Sequence, residues 1–179
     1  MPTSFNRVEA PYKNPVVLPL CRKSVSVVAP SSVFMSTKFP RSCYDQTGGI
    51  VYFARMVDKI RLFAAGTLGK EYHENLGTGF DGRCCTFLGV KYDELKKVVL
   101  AGATDEAAFQ WCLEHGSHPS ADAISDFNDF IIKRGWRDGL TARLHSRLKE
   151  AGFENRIGDV LTMFDFIEVD EGRVPPKFL

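Results

Sequence analysis

The 179-residue chain lacks any apolar run approaching the roughly 20 residues that a bilayer-spanning helix needs, so the pattern excludes a transmembrane segment. It has no C-x-x-C pair and no Cys/His spacing suited to zinc. Its five cysteines, Cys21, Cys43, Cys84, Cys85 and Cys112, are odd in number and read as reduced thiols. Alternation of apolar and polar residues is almost absent, Val25–Val28 being the one candidate strand. No strand pattern precedes the glycines of Gly77–Gly82, as a dinucleotide fingerprint requires, and there is no spaced D-x-D-x-D-G calcium loop. No local signature of a serine or cysteine nucleophile occurs. No cofactor and no metal ion is predicted. The formal charge is only +1, which lacks the footprint of a nucleic-acid binder.

What the chain does have is unevenly placed. Residues 1–42 hold six of the nine prolines, seven serines, and six basic residues against Glu9 alone. That composition predicts an extended basic arm over residues 1–39. Three readings of the arm stand side by side: an organellar transit peptide, an upstream extension before Met35, and a partner-binding segment. The compartment predicted is the cytoplasm, or a plastid or mitochondrion if the arm is a transit peptide. The rest of the chain carries 17 basic against 21 acidic residues. This mild acidity disfavours a helix-turn-helix reading of Arg83–Trp111, because phosphate contacts need local positive charge.

From Pro40 to about residue 174 the pattern is helical, and 44% hydrophobic residues suffice for a core. Ile50–Ala65 is predicted as the opening helix, reached through the turn Asp45–Gly49 with Thr47 as its cap, and has an apolar arc including Phe53, Met56, Val57 and Ile60. Further helices are predicted at Arg83–Leu88, Tyr92–Leu100, Thr104 to Gly116, Ser120 to Gly135, Asp138–Ala151 and Asp159–Ile167. Glycines stop most of them. The fold class is therefore all-α, a single globular domain of six or seven helices, with a short tail at 175–179.

Several polar groupings carry candidate chemistry. On the opening helix, Arg55, Asp58, Lys59 and Arg61 lie opposite the apolar arc, where two guanidiniums and an ammonium exceed one carboxylate. They form an anion site, or they pair with Asp165, Glu168 or Asp170 and fix how the first and last helices dock. The segment Glu71-Tyr72-His73-Glu74-Asn75 precedes three glycines, Gly77, Gly79 and Gly82, with Asp81 and Arg83 beside them. A histidine, carboxylates and a loop that allows close approach are what acid/base chemistry requires, which makes His73, Asp58 and Asp81 the catalytic candidates. The bland alternative is a polar connection between helices. At Lys133–Asp138, Trp136 and Arg137 either wall a pocket or pack at a helix corner.

The ligand-binding candidates are thus Arg55, Arg61, Tyr72, Arg83, Trp136 and Arg137. They place a pocket for a small polar or anionic ligand between the opening helix and the Gly77–Gly82 loop. The alternative is a non-catalytic interaction module that meets a protein partner through the basic arm or an apolar patch.

The motifs together resemble a known family. They are Pro40-Arg41-Ser42-x-Tyr44-Asp45, Ala54-Arg55-Met56-x-Asp58-Lys59-x-Arg61, Asn75-Leu76-Gly77-x-Gly79-x-Asp81-x-Arg83, Lys133-Arg134-Gly135-Trp136-Arg137-Asp138 and Asp170-Glu171-Gly172-Arg173. The chain resembles a mostly bacterial family known only as a domain of unknown function. Cys43 stands where that family usually has proline. The resemblance spans Pro40 to Arg173 and implies no activity.

Overall fold

The computed structural model describes residues 38–176. Cys21, Val25–Val28 and all but the last two residues of the expected arm lie outside that span. Among the described residues the architecture is all-α: seven α-helices, two short 3₁₀ turns and one two-residue-per-strand hairpin. No described helix is long and apolar enough to cross a membrane.

The hairpin changes the expected start of the first helix. Strands β1 (Gln46–Thr47) and β2 (Ile50–Val51) pair antiparallel around Gly48-Gly49. Both glycines have positive φ, 59° and 80°, the two-residue turn geometry whose twist matches paired strands. A Cβ on Gly48 would also stand 2.0 Å from Phe109 Cε1, so the turn is pressed against a later helix. Asn128 completes the hairpin by accepting from Val51 N at 3.1 Å and donating to Gly49 O at 2.8 Å. Thr47 is therefore a strand residue and not the helix cap. Helix α1 spans Phe53–Ala64, entered through Tyr52 at φ 72° with no side-chain cap. That left-handed conformation costs a non-glycine residue about 1–2 kcal/mol. Tyr52 is held there by its ring, stacked 5.6 Å from Phe164, and by its hydroxyl, which donates to Asp81.

The remaining helices are α2 (Gly79–Leu88), α3 (Tyr92–Leu100), α4 (Asp105–His115), α5 (Ala121–Ile132), α6 (Thr141–Glu150) and α7 (Met163–Asp170). Thr104 and Ser120 cap α4 and α5 as the sequence predicts, accepting from Ala107 N and Ala123 N. Three starts differ from expectation, the first being that of α2, which begins at Gly79, four residues ahead of Arg83. Asp138 accepts from Gly135 N and Leu140 N, so it closes the turn ahead of α6 and the helix begins three residues later. Thr162, not Asp159, caps α7 by accepting from Asp165 N, while Val160 is buried in a loop.

Two apolar clusters result. The larger wraps α1, whose Phe53, Met56, Val57 and Ile60 pack with Leu88, Leu95, Val99, Phe109 and Cys112. The smaller joins α6 and α7 through Leu144, Leu148, Val160, Phe166 and Val169. Helix α7 serves both, since Phe164 belongs to the first and Phe166 to the second. The four described cysteines are buried free thiols, and burial pushes Cys43, Cys85 and Cys112 up to about 12.

Candidate functional site

The charges of α1 do not converge, and each reaches a different part of the fold. Arg55 is buried, its side chain 2% exposed, and grips Glu171 with both terminal nitrogens at 2.9 and 2.5 Å. It also donates to Arg41 O at 2.6 Å. Glu171 accepts from the Tyr72 hydroxyl at 2.6 Å and from Arg173, which in turn pairs with Glu168 at 2.5 Å. Glu168 receives Cys43 N at 2.8 Å. Two arginines and two glutamates thus tie α1 and the 3₁₀ turn Lys70–Asn75 to the end of α7. Such a bidentate, fully hydrogen-bonded arrangement is what makes a buried ion pair tolerable.

Burial pushes the Glu171 carboxyl up, but the bonds from Arg55, Tyr72 and Arg173 outweigh it and hold the group below its ordinary range. A carboxyl lowered on folding contributes stability that is full above its unfolded value and is lost as pH falls through its folded value. The stability difference between the native chain and Glu171→Gln is therefore expected to shrink as pH falls below the ordinary glutamate range. Denaturant titrations of both proteins across that range check it, and a difference that stays constant would contradict the assignment.

Lys59 takes a second partner. Its ammonium lies 2.5 Å from Asp81 Oδ1 and 3.1 Å from the Tyr52 hydroxyl, with Tyr52 donating to the same carboxylate at 3.0 Å. Gly77 N supplies a further donor to Asp81 at 3.1 Å, so a carboxylate with no exposed surface is fully bonded. Arg61 goes elsewhere again, to Asp105 at 2.6 Å and Ala103 O at 2.8 Å, where Arg41 shares the carboxylate. Asp58 accepts from Arg41 N at 3.0 Å.

A cavity of about 320 Å³ opens between the two apolar clusters. Tyr52, Arg55 and Lys59 of the α1 start line it, with Glu71 and Tyr72 of the 3₁₀ turn and Gly79, Phe80 and Arg83 of α2. The far wall comes from Arg134, from Arg143 and Arg147 of α6, and from Met163, Phe166, Ile167, Asp170 and Glu171. Of the sequence candidates, Arg55, Tyr72 and Arg83 meet here. Asp81 sits behind the wall, bonded to two of its members. Arg61, Asp58, His73, Trp136 and Arg137 do not line the cavity. The His73 ring meets Phe63 edge-on at 4.9 Å, and its Nε2 lies 3.2 Å from Leu68 O. Trp136 is 49% exposed with Arg137 over its ring at 5.4 Å.

Sequence reasoning passed over Arg134, Arg143 and Arg147 as site residues. The signal was slight: Arg143 and Arg147 are four apart on one face of α6, a spacing shared by ordinary solvated faces. Phe130 organises part of this wall, because the guanidiniums of Arg83 and Arg134 both lie over its ring, at 5.4 and 5.2 Å.

Residues 37–173 match the family described as a domain of unknown function, DUF5069. The chain belongs to the DUF5069 family. A comparison with curated proteins gives no match. The DUF5069 span contains every residue of the cavity wall and ends on Arg173 of the buried ion cluster. Cavity and cluster are thus both parts of the DUF5069 domain, and the basic segment before residue 37 lies outside it.

Proposed function

We propose that the cavity binds a small ligand carrying an anionic group against an apolar body. The observation that carries this reading is the set of guanidinium donors left once the ion pairs are assigned. Arg55 is taken by Glu171, Lys59 by Asp81, and Arg147 by Glu150 at 3.4 Å. Arg83 and Arg143 have no ion pair among the described residues. Arg134 has Asp138 at 2.7 Å, yet its Nε is buried with no hydrogen-bond partner. A buried donor left unsatisfied costs about 1–3 kcal/mol, which an anionic acceptor would relieve. Phe80, Met163, Phe166 and Ile167 offer the apolar surface that small-molecule sites use for most of their contact.

The test is a calorimetric titration of the whole chain with hexanoate and phenyl phosphate, with hexanol as the neutral control. At least one of the two anions is expected to bind, and hexanol to bind more weakly. The double variant Arg83→Gln/Arg143→Gln, which removes two unpaired and exposed side chains, should weaken binding by about tenfold or more with the melting temperature unchanged. Binding by neither anion, or equal binding by the variant, would refute the proposal.

A further inference from the structure

The unpaired groups around the cavity are of both signs, and they lie at opposite ends of it. Arg83 and Arg134 share the Phe130 ring. Arg134 O receives Met163 N at 2.8 Å, which fixes this cationic group at the start of α7. Arg143 belongs to the same end: a Cβ on Gly135 would stand 3.2 Å from Leu144 Cδ2 and 3.1 Å from Met163 N, and Arg143 immediately precedes Leu144. Asp170 closes the other end of α7. Glu71 is there too, because its neighbour Tyr72 bonds Glu171, the residue after Asp170. Neither Glu71 nor Asp170 has a hydrogen-bond or ion-pair partner among the described side chains. Arg147 also lines the wall and lies near Asp170, whose carboxyl it draws down against the upward push of burial, but Glu150 engages it at 3.4 Å, and Arg55 is engaged by Glu171. At a rise of about 1.5 Å per residue, Met163 and Asp170 lie roughly 10 Å apart along the helix. Met163, Phe166 and Ile167 present apolar surface between the two ends.

We infer that the ligand is charge-separated, with an anionic group held by Arg83, Arg134 and Arg143, a cationic amine held by Glu71 and Asp170, and an apolar chain between them. This rests on the anion-binding reading of the same cavity. It narrows the substrate class to ω-amino acids and molecules of similar layout. A pure anion would leave the two carboxylates facing its tail, and a dianion would be repelled by them.

Calorimetric titration of the whole chain at pH 7 with 6-aminohexanoate, hexanoate and hexylamine separates the two claims. The expected result is 6-aminohexanoate binding about tenfold or more tighter than either relative. The variant Glu71→Gln/Asp170→Asn, altering two exposed side chains, should bring 6-aminohexanoate down to the level of hexanoate while leaving hexanoate itself no weaker. The variant Arg83→Gln/Arg143→Gln should weaken both compounds. If hexanoate binds as tightly as 6-aminohexanoate, or the acidic variant discriminates as the native chain does, the charge-separated inference fails and the anion site stands. If neither carboxylate binds, or hexylamine binds tightest, the charge-separated inference fails, and the anion site then fails with it only if phenyl phosphate does not bind either.

Discussion

Replacing Arg55 with methionine is expected to lower the unfolding free energy by about 3–5 kcal/mol, because it strands a buried carboxylate. Glu171 is 2% exposed at its side chain, and Arg173 and Tyr72 alone would then have to hold its charge. The loss is set by uncompensated burial, since Arg55 supplies two of the bonds to Glu171 and also ties down Arg41 O. The double variant Arg55→Met/Glu171→Leu should recover a large part of the loss, because neutral side chains of similar size carry no desolvation penalty. Urea unfolding with an unchanged slope measures both. A loss below about 1 kcal/mol for Arg55→Met would mean that the ion cluster does not hold the first and last helices together.

A change of similar size is expected for Asp81→Ala, again about 3–5 kcal/mol. Asp81 has no exposed surface and takes donors from Lys59, Tyr52 and Gly77 N. Removing it leaves an ammonium 3% exposed without its counter-charge, and frees a tyrosine that occupies a left-handed backbone conformation. Asp81→Asn should cost less, because an amide oxygen still accepts while only the charge is lost. Lys59 faces the cavity, so the Ala variant should also disturb ligand binding, whereas Arg61→Gln, which acts at Asp105 on another face, should not. Unfolding and titration of these three variants distinguish the wall from the rest of α1.

The sequence made the helical class legible because its signals are local. The apolar arc of α1, the caps at Thr104 and Ser120, and the stop after Leu100 each depend on residues within a turn of one another. The hairpin was not legible, since two-residue strands are too short to alternate and only Gly48-Gly49 marks them. The ion cluster was half legible. Pairing of α1 with the C-terminal acids is an expectation the sequence raises, and Arg55 does meet them, at Glu171. Arg61 instead meets Asp105, and helical spacing carries no information about which distant carboxylate each guanidinium finds. Arg55 and Glu171 are 116 residues apart. The cavity wall draws on residues from Tyr52 to Glu171, so its arginines on α6 look solvent-facing until the fold brings α2 opposite them. Arg55 both pairs with Glu171 and lines the cavity, so the buried ion cluster and the cavity wall share a residue.

The most direct measurement is a crystal structure of the protein grown with saturating hexanoate. The account predicts carboxylate density within hydrogen-bond distance of Arg83, Arg134 or Arg143, with the alkyl chain along Met163, Phe166 and Ile167. A cavity holding only water under those conditions, or hexanoate bound elsewhere on the surface, would contradict it.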